Sequence, residues 1–173
     1  YVIQLAKKRG IKTVNIVRRE GLAEDLMARG ADVVLIDGPN LAADIAKATG
    51  NAPIVLALDP VGGDTYGRLA DSLGYSGTLV TFGVLSGKPA TLDTRRLIGN
   101  DIRLRGFWLY KWFQTATMQE KQAAFGEVIP LIANGTLKAD IDSRFTIDEI
   151  KQAVTRSKEG GRNGKVIIVP NPL

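Results

Sequence analysis

The sequence predicts a doubly wound α/β domain built on a parallel sheet. Three observations carry that expectation: β-branched runs alternate with helical segments over residues 1–87, the runs are short and nearly all apolar, and little chain lies between them. Strands of that kind are buried on both faces, which helices on either side of a parallel sheet provide. Each strand-helix-strand crossover is then right-handed.

Residues 1–10, YVIQLAKKRG, read as an amphipathic helix: Val2, Ile3, Leu5 and Ala6 are apolar, Lys7, Lys8 and Arg9 suit its C-terminal dipole, and Gly10 stops it. Because residue 1 is Tyr and already helical, the expectation is that further chain precedes it. Then come strand 11–19 (IKTVNIVRR), helix 20–31, strand 32–37, helix 41–50, strand 53–63 (PIVLALDPVGG), helix 64–77 and strand 78–84 (TLVTFGV). Past Gly87 the rhythm changes. Residues 88–100 suggest a polar connection with a short helix, 101–112 (DIRLRGFWLYKW) a strand, and 117–137 a longer helix containing Pro130, which kinks it rather than ending it. Thr146 is the expected N-cap of a helix within 143–161, and GKVIIVP, 164–170, is a closing strand.

Composition narrows the chemistry. With 173 residues, 45% of them hydrophobic and 24% charged, the chain suits one soluble globular domain, or one domain plus a fragment. It holds no Cys and no His, which excludes a disulfide framework, a thiolate nucleophile, a Cys/His zinc site and a His-centred triad. No metal site is expected. The net charge of +5 is spread among 18 acids with no basic run, so no nucleic-acid partner is expected. No stretch has the length of a membrane span, and a soluble intracellular location is expected.

In doubly wound sheets, ligands lie outside the carboxyl ends of the strands. At the first such end stand Arg18 and Arg19, followed by Glu20. Two guanidiniums there can meet a ribose 2′-phosphate with fork-like, charge-assisted bonds. From the residues alone, a solvated pair matched to Glu20 or Glu24 fits as well. The third end carries the turn Asp59-Pro60-Val61-Gly62-Gly63, whose glycines let backbone approach a ligand closely. The fourth ends in Phe82, Gly83, Val84 and Leu85. The densest station is 104–112, where Phe107, Trp108, Tyr110 and Trp112 crowd together beside Gly106. Exposing each such ring forfeits roughly 1.5–3 kcal/mol of burial. A cover is therefore expected, either a partner chain or a flat cofactor ring with an apolar substrate.

These residues carry a family resemblance. LRGFWL, DPVGG and TFGVLSGKP, in this order and spacing, with VRR upstream and a closing GKVIIVP, resemble the zinc-free 2-enoyl thioester reductases of the medium-chain dehydrogenase/reductase superfamily. That branch includes the mitochondrial-type trans-2-enoyl-CoA reductases and adjoins the NADPH:quinone reductases. The resemblance spans essentially the whole chain. It implies a Rossmann-like cofactor domain over 1–140 and a returning segment of the catalytic domain over 141–173. It also implies that the first strand and glycine-rich loop have no counterpart here, so the strands at 11–19 and 53–59 would flank a gap. The two halves then close up, another chain fills the gap, or the sequence is part of a longer protein.

By the same resemblance the cofactor is NADPH. Arg18, Arg19 and Glu20 surround its 2′-phosphate, while Phe82, Gly83, Val84, Leu85, Phe107, Trp108 and Leu109 face the nicotinamide half and Lys165 is a further cofactor contact. The tyrosine that serves the family's catalysis has no counterpart here, so no catalytic residue is assigned and this chain alone is expected to be inactive. The implied activity is reduction of 2-enoyl thioesters in fatty-acid metabolism, with quinone reduction or a non-catalytic nucleotide-binding fragment as alternatives. A homodimer through the edge strand near 101–110 is implied, in the cytoplasm or, in a eukaryote, the mitochondrial matrix.

Overall fold

Alternation of apolar strands with helices leads, in the first part of the chain, to two parallel sheets and not one. The computed structural model describes residues 1–162 and 164–170, which fall into two compact units: Val2–Ala124, and Phe125 onward together with Tyr1. The first unit runs α1 (Val2–Lys8), β1 (Val14–Val17), α2 (Ala23–Ala28), β2 (Val33–Ile36), α3 (Leu41–Thr49), β3 (Ile54–Asp59) and α4 (Gly63–Ser72). It continues with β4 (Leu73–Thr81), α5 (Thr94–Gly99), β5 (Arg103–Gly106) and α6 (Leu109–Thr115). β1 pairs with β2, Val14 opposite Val33 through Val17 opposite Ile36, and β3, β4 and β5 form a second sheet in that order. Every pair is parallel.

β1 and β3 do not pair among the described residues, so the two halves have not closed up. Among the described residues β3 pairs on one edge only, with β4, and its Val55, Leu56 and Leu58 are exposed. A largely apolar strand with a bare edge is a template for another strand. The core of this unit lies against the β3–β4–β5 sheet itself: Ala57 of β3, Leu73 and Leu79 of β4, Ala70 and Ile102 are buried together, with Ile54, Tyr66, Leu69 and Leu97 packed against them. Leu41 and Ile45 of α3 are buried as well.

Two expected boundaries are corrected. The helix after the Gly62-Gly63 turn stops at Ser72, not Gly77, and Leu73 opens β4. Gly74 and Gly77 weaken a helix there. The chain instead passes through Ser76 at φ +57, whose N–H donates to the Asn100 carbonyl at 2.8 Å and whose hydroxyl donates to Asp101 at 2.6 Å. The strand expected over 101–112 ends at Gly106, and Leu109–Thr115 is helical. The β4 ladder ends at Thr81, whose carbonyl accepts from the Phe107 N–H at 2.8 Å, so later residues have no strand to pair with. A helix satisfies those backbone groups internally.

α7 (Met118–Ala133) opens with a capping box, in which Glu120 accepts from the Thr117 N–H at 2.7 Å while its own N–H donates to the Thr117 hydroxyl at 3.2 Å. It runs through Pro130 to Ala133. In the second unit β6 (Ile141–Phe145) pairs in parallel with β7 (Lys165–Ile168), and α8 (Ile150–Lys158) follows a short 3₁₀ turn, Ile147–Glu149. Thr146 does cap that turn, its N–H donating to Glu149 at 2.8 Å. β6 is a strand beyond the sequence reading. Arg156 of α8 grips both oxygens of Asp142 on β6, at 2.8 and 2.6 Å, and holds its carboxyl below the usual range.

Candidate functional site

The turn after β3 is organised by a carboxylate. Asp59 is fully buried, and its oxygens accept from the N–H of Val61 at 2.8 Å and from that of Gly62 at 3.0 and 3.1 Å. Gly62 and Gly63 sit at φ +71 and +60, the left-handed region that a side chain disfavours. The segment after β4 is laced onto this turn. Phe82 N–H donates to the Asp59 carbonyl at 3.0 Å, Leu85 N–H to Pro60 at 3.1 Å and Ser86 N–H to Val61 at 2.9 Å. Contact is so close that a Cβ on Gly83 would lie 2.7 Å from the Pro60 carbonyl oxygen.

The Phe107–Thr81 bond sets the chain after β5 beside the same segment. The structure thus brings Phe82, Gly83, Val84 and Leu85 together with Phe107, Trp108 and Leu109 as one shelf at the carboxyl ends of β4 and β5. The apolar side chains on it are between 43% and 72% exposed. Among the described residues, the N–H groups of Gly83 and Val84 and the carbonyls of Phe82 and Gly83 take no hydrogen-bond partner. Tyr66 packs against the core, and burial above all pushes its hydroxyl up, with the Asp59 charge acting in the same direction.

Arg18, Arg19 and Glu20 are exposed directly past the carboxyl end of β1, and Arg18 makes no ion pair among the described residues. The end of β2 lies alongside, since Asp37 N–H donates to the Val17 carbonyl at 2.8 Å. Asp37 itself is engaged from α4. Arg68 donates through Nε to Oδ1 and through Nη2 to Oδ2, both at 2.8 Å, and the Thr65 hydroxyl donates to Oδ2 at 2.5 Å. This fork, above all, holds the Asp37 carboxyl below the ordinary carboxylate range against the opposing effect of burial. Lys165 is exposed at the start of β7, in the second unit, with its backbone N–H donating to Asp140.

Tyr66 and the Asp37–Arg68 pair are not among the expected site residues, and Asp59 is expected only as the first residue of its turn. A signal existed for Asp59, which heads a D-P-x-G-G stretch where an Asp side chain commonly bonds backbone two residues on. None existed for Arg68, which meets Asp37 across 31 residues.

A model of the family described as zinc-binding dehydrogenase matches residues 1–133. The chain belongs to that family. It lies within the medium-chain dehydrogenase/reductase superfamily, and the relatives it resembles in sequence include mitochondrial enoyl reductases. The chain has no Cys or His, and among its described residues no group of three or more Asp and Glu is placed to hold a metal ion. It is 37% identical over 172 residues to the mitochondrial enoyl-[acyl-carrier-protein] reductase of Dictyostelium discoideum, covering 96% of this chain and 49% of that protein. Among solved structures, a mycobacterial quinone oxidoreductase matches with a TM-score of 0.82 at 26% identity, over 98% of this chain and 52% of the other. A variant of Etr1p, a mitochondrial 2-enoyl thioester reductase of Candida tropicalis solved with NADP and crotonyl-CoA, matches with a TM-score of 0.80 at 22% identity. That match covers 92% of this chain and 48% of that structure's chain, and at this identity it shows the fold alone. The chain spans about half the length of the relatives it matches.

Proposed function

We propose that this chain is the NADPH-binding portion of an oxidoreductase that reduces the C=C bond of 2-enoyl thioesters. The observation that carries the reading is the pairing of an exposed arginine pair at the end of β1 with a backbone shelf whose polar groups are left open. That donor set fits the cofactor at both ends. Arg18 and Arg19 would hold the adenosine 2′-phosphate, which carries nearly two negative charges, with Glu20 at the rim. The open N–H and carbonyl groups of Phe82, Gly83 and Val84 would meet the nicotinamide carboxamide. Phe82, Phe107, Trp108 and Leu109 would wall the ring and exclude water, and Lys165 would add a cofactor contact. When bound, NADPH supplies the hydride. No residue of this chain is assigned the proton transfer or the polarising of the thioester carbonyl. We read 1–140 as the cofactor domain and 141–173 as a returning segment of the catalytic domain, of which residues 163 and 171–173 lie outside the described residues.

The likeness to a quinone oxidoreductase at 26% identity supports a second reading, NADPH:quinone reduction. NADPH oxidation by the natural gene product, followed at 340 nm with crotonyl-CoA and with a quinone, separates the two. Turnover with crotonyl-CoA at least tenfold faster supports the thioester reading; turnover with the quinone alone replaces it.

β5 has its four residues exposed and, among the described residues, pairs only with β4, so its outer edge could take a strand of a second copy. The proposed assembly is a homodimer across that edge, corrected from 101–110 to Arg103–Gly106. Light scattering should give the dimer mass; a monomer at high concentration would remove the idea. The proposed location is the cytoplasm, or the mitochondrial matrix in a eukaryote. No described helix is long and apolar enough to cross a membrane.

A further inference from the structure

The proposed cofactor reading leaves one charged group unexplained. Asp37 stands at the carboxyl end of β2, hydrogen-bonded through its N–H to Val17, the residue before Arg18. Neighbouring strands are only about 4.8 Å apart, so this carboxylate is one strand from the arginine pair. An acid in that place opposes a phosphate and competes for the same guanidiniums. Its side chain, however, is turned to α4, where Arg68 closes a two-bond fork on it and Thr65 adds a third bond. The Asp37 side chain is only 9% exposed in that grip.

We propose that Arg68 is a positioning residue for coenzyme choice: by engaging Asp37 from α4, it neutralises that carboxylate and keeps it away from the 2′-phosphate and from Arg18 and Arg19. Arg68 touches neither coenzyme nor substrate. It acts through Asp37, and the pair makes the β1–β2 edge selective for the phosphorylated coenzyme in a way the arginines alone do not. The inference rests on the proposed NADPH reading and adds a second element to it, 31 residues along the chain from the group it controls.

The test is a double-mutant cycle on the natural gene product, with dissociation constants for NADPH and NADH measured by calorimetry. Arg68→Gln should weaken NADPH by about tenfold, the scale of one unmasked like charge near a phosphate. NADH should change by less than about threefold, because it carries no 2′-phosphate. Asp37→Asn alone should leave NADPH binding unchanged or tighter, and the double variant should regain the wild-type preference. Arg68→Lys, which keeps the charge and loses the fork, should keep most of the preference and serves if Arg68→Gln does not fold. Equal weakening of both coenzymes in Arg68→Gln, or a double variant that stays impaired for NADPH, overturns the proposal and leaves Arg68 a structural clamp. A wild-type protein with no preference for NADPH overturns instead the reading on which it rests.

Discussion

Arg18→Ala is expected to raise the dissociation constant for NADPH by roughly ten- to hundredfold, the equivalent of one charge-assisted hydrogen bond. The change for NADH should stay within a few-fold. The reason lies in where the residue stands. Arg18 is exposed past the end of β1 and has no ion pair among the described residues, so its removal costs the fold little. What it removes is a cation facing the one group that distinguishes the two coenzymes. Calorimetric titration of the variant with both nucleotides reads the effect directly. Equal losses for the two would make the arginine structural, and no loss for either would take it out of the site.

Asp59→Ala should have the largest effect on stability. It strands the N–H groups of Val61 and Gly62, the second of them in a buried residue. Orphaned buried donors cost about 1–3 kcal/mol each, so a loss of about 3 kcal/mol and a fall in Tm of roughly 6–12 °C are expected for a domain of this size. The consequence reaches the shelf, because the N–H groups of Phe82, Leu85 and Ser86 are laced to carbonyls of the same turn. Affinity for NADPH and NADH should fall together, since the nicotinamide half is common to both. This is the opposite pattern to Arg18→Ala. A variant that melts like the wild type would show that Gly62 and Gly63 hold the turn without the carboxylate.

How much of this was legible beforehand depended on whether the signal was local. The strands β1, β2 and β3 stand out because their residues are consecutive and apolar, and the arginine pair because its residue type is wrong for a ribose hydroxyl and right for a phosphate. The gap between β1 and β3 followed from the expected strand order, and among the described residues β1 and β3 do not pair. The aromatic run 107–112 misled, because high β-propensity says nothing about whether a partner strand reaches that far, and β4 ends at Thr81. β6 was hidden because Asp142, Ser143 and Arg144 give it a polar middle and its partner, β7, lies beyond α8. Asp59 could be read as a turn residue but not as a buried one. The Asp37–Arg68 grip left no trace, since contacts between residues distant in sequence have no period.

In the proposed function, the strand ends of the first unit form a site selective for the 2′-phosphorylated coenzyme. Both of the chain's tryptophans, Trp108 and Trp112, lie on or next to the proposed nicotinamide wall, so their fluorescence reports on that site. Tryptophan emission of the natural gene product should be followed during titration with NADPH and, separately, with NADH. Saturable quenching by NADPH at a concentration at least about tenfold below that needed for NADH is the predicted result; quenching at equal concentrations, or by neither nucleotide, would contradict it.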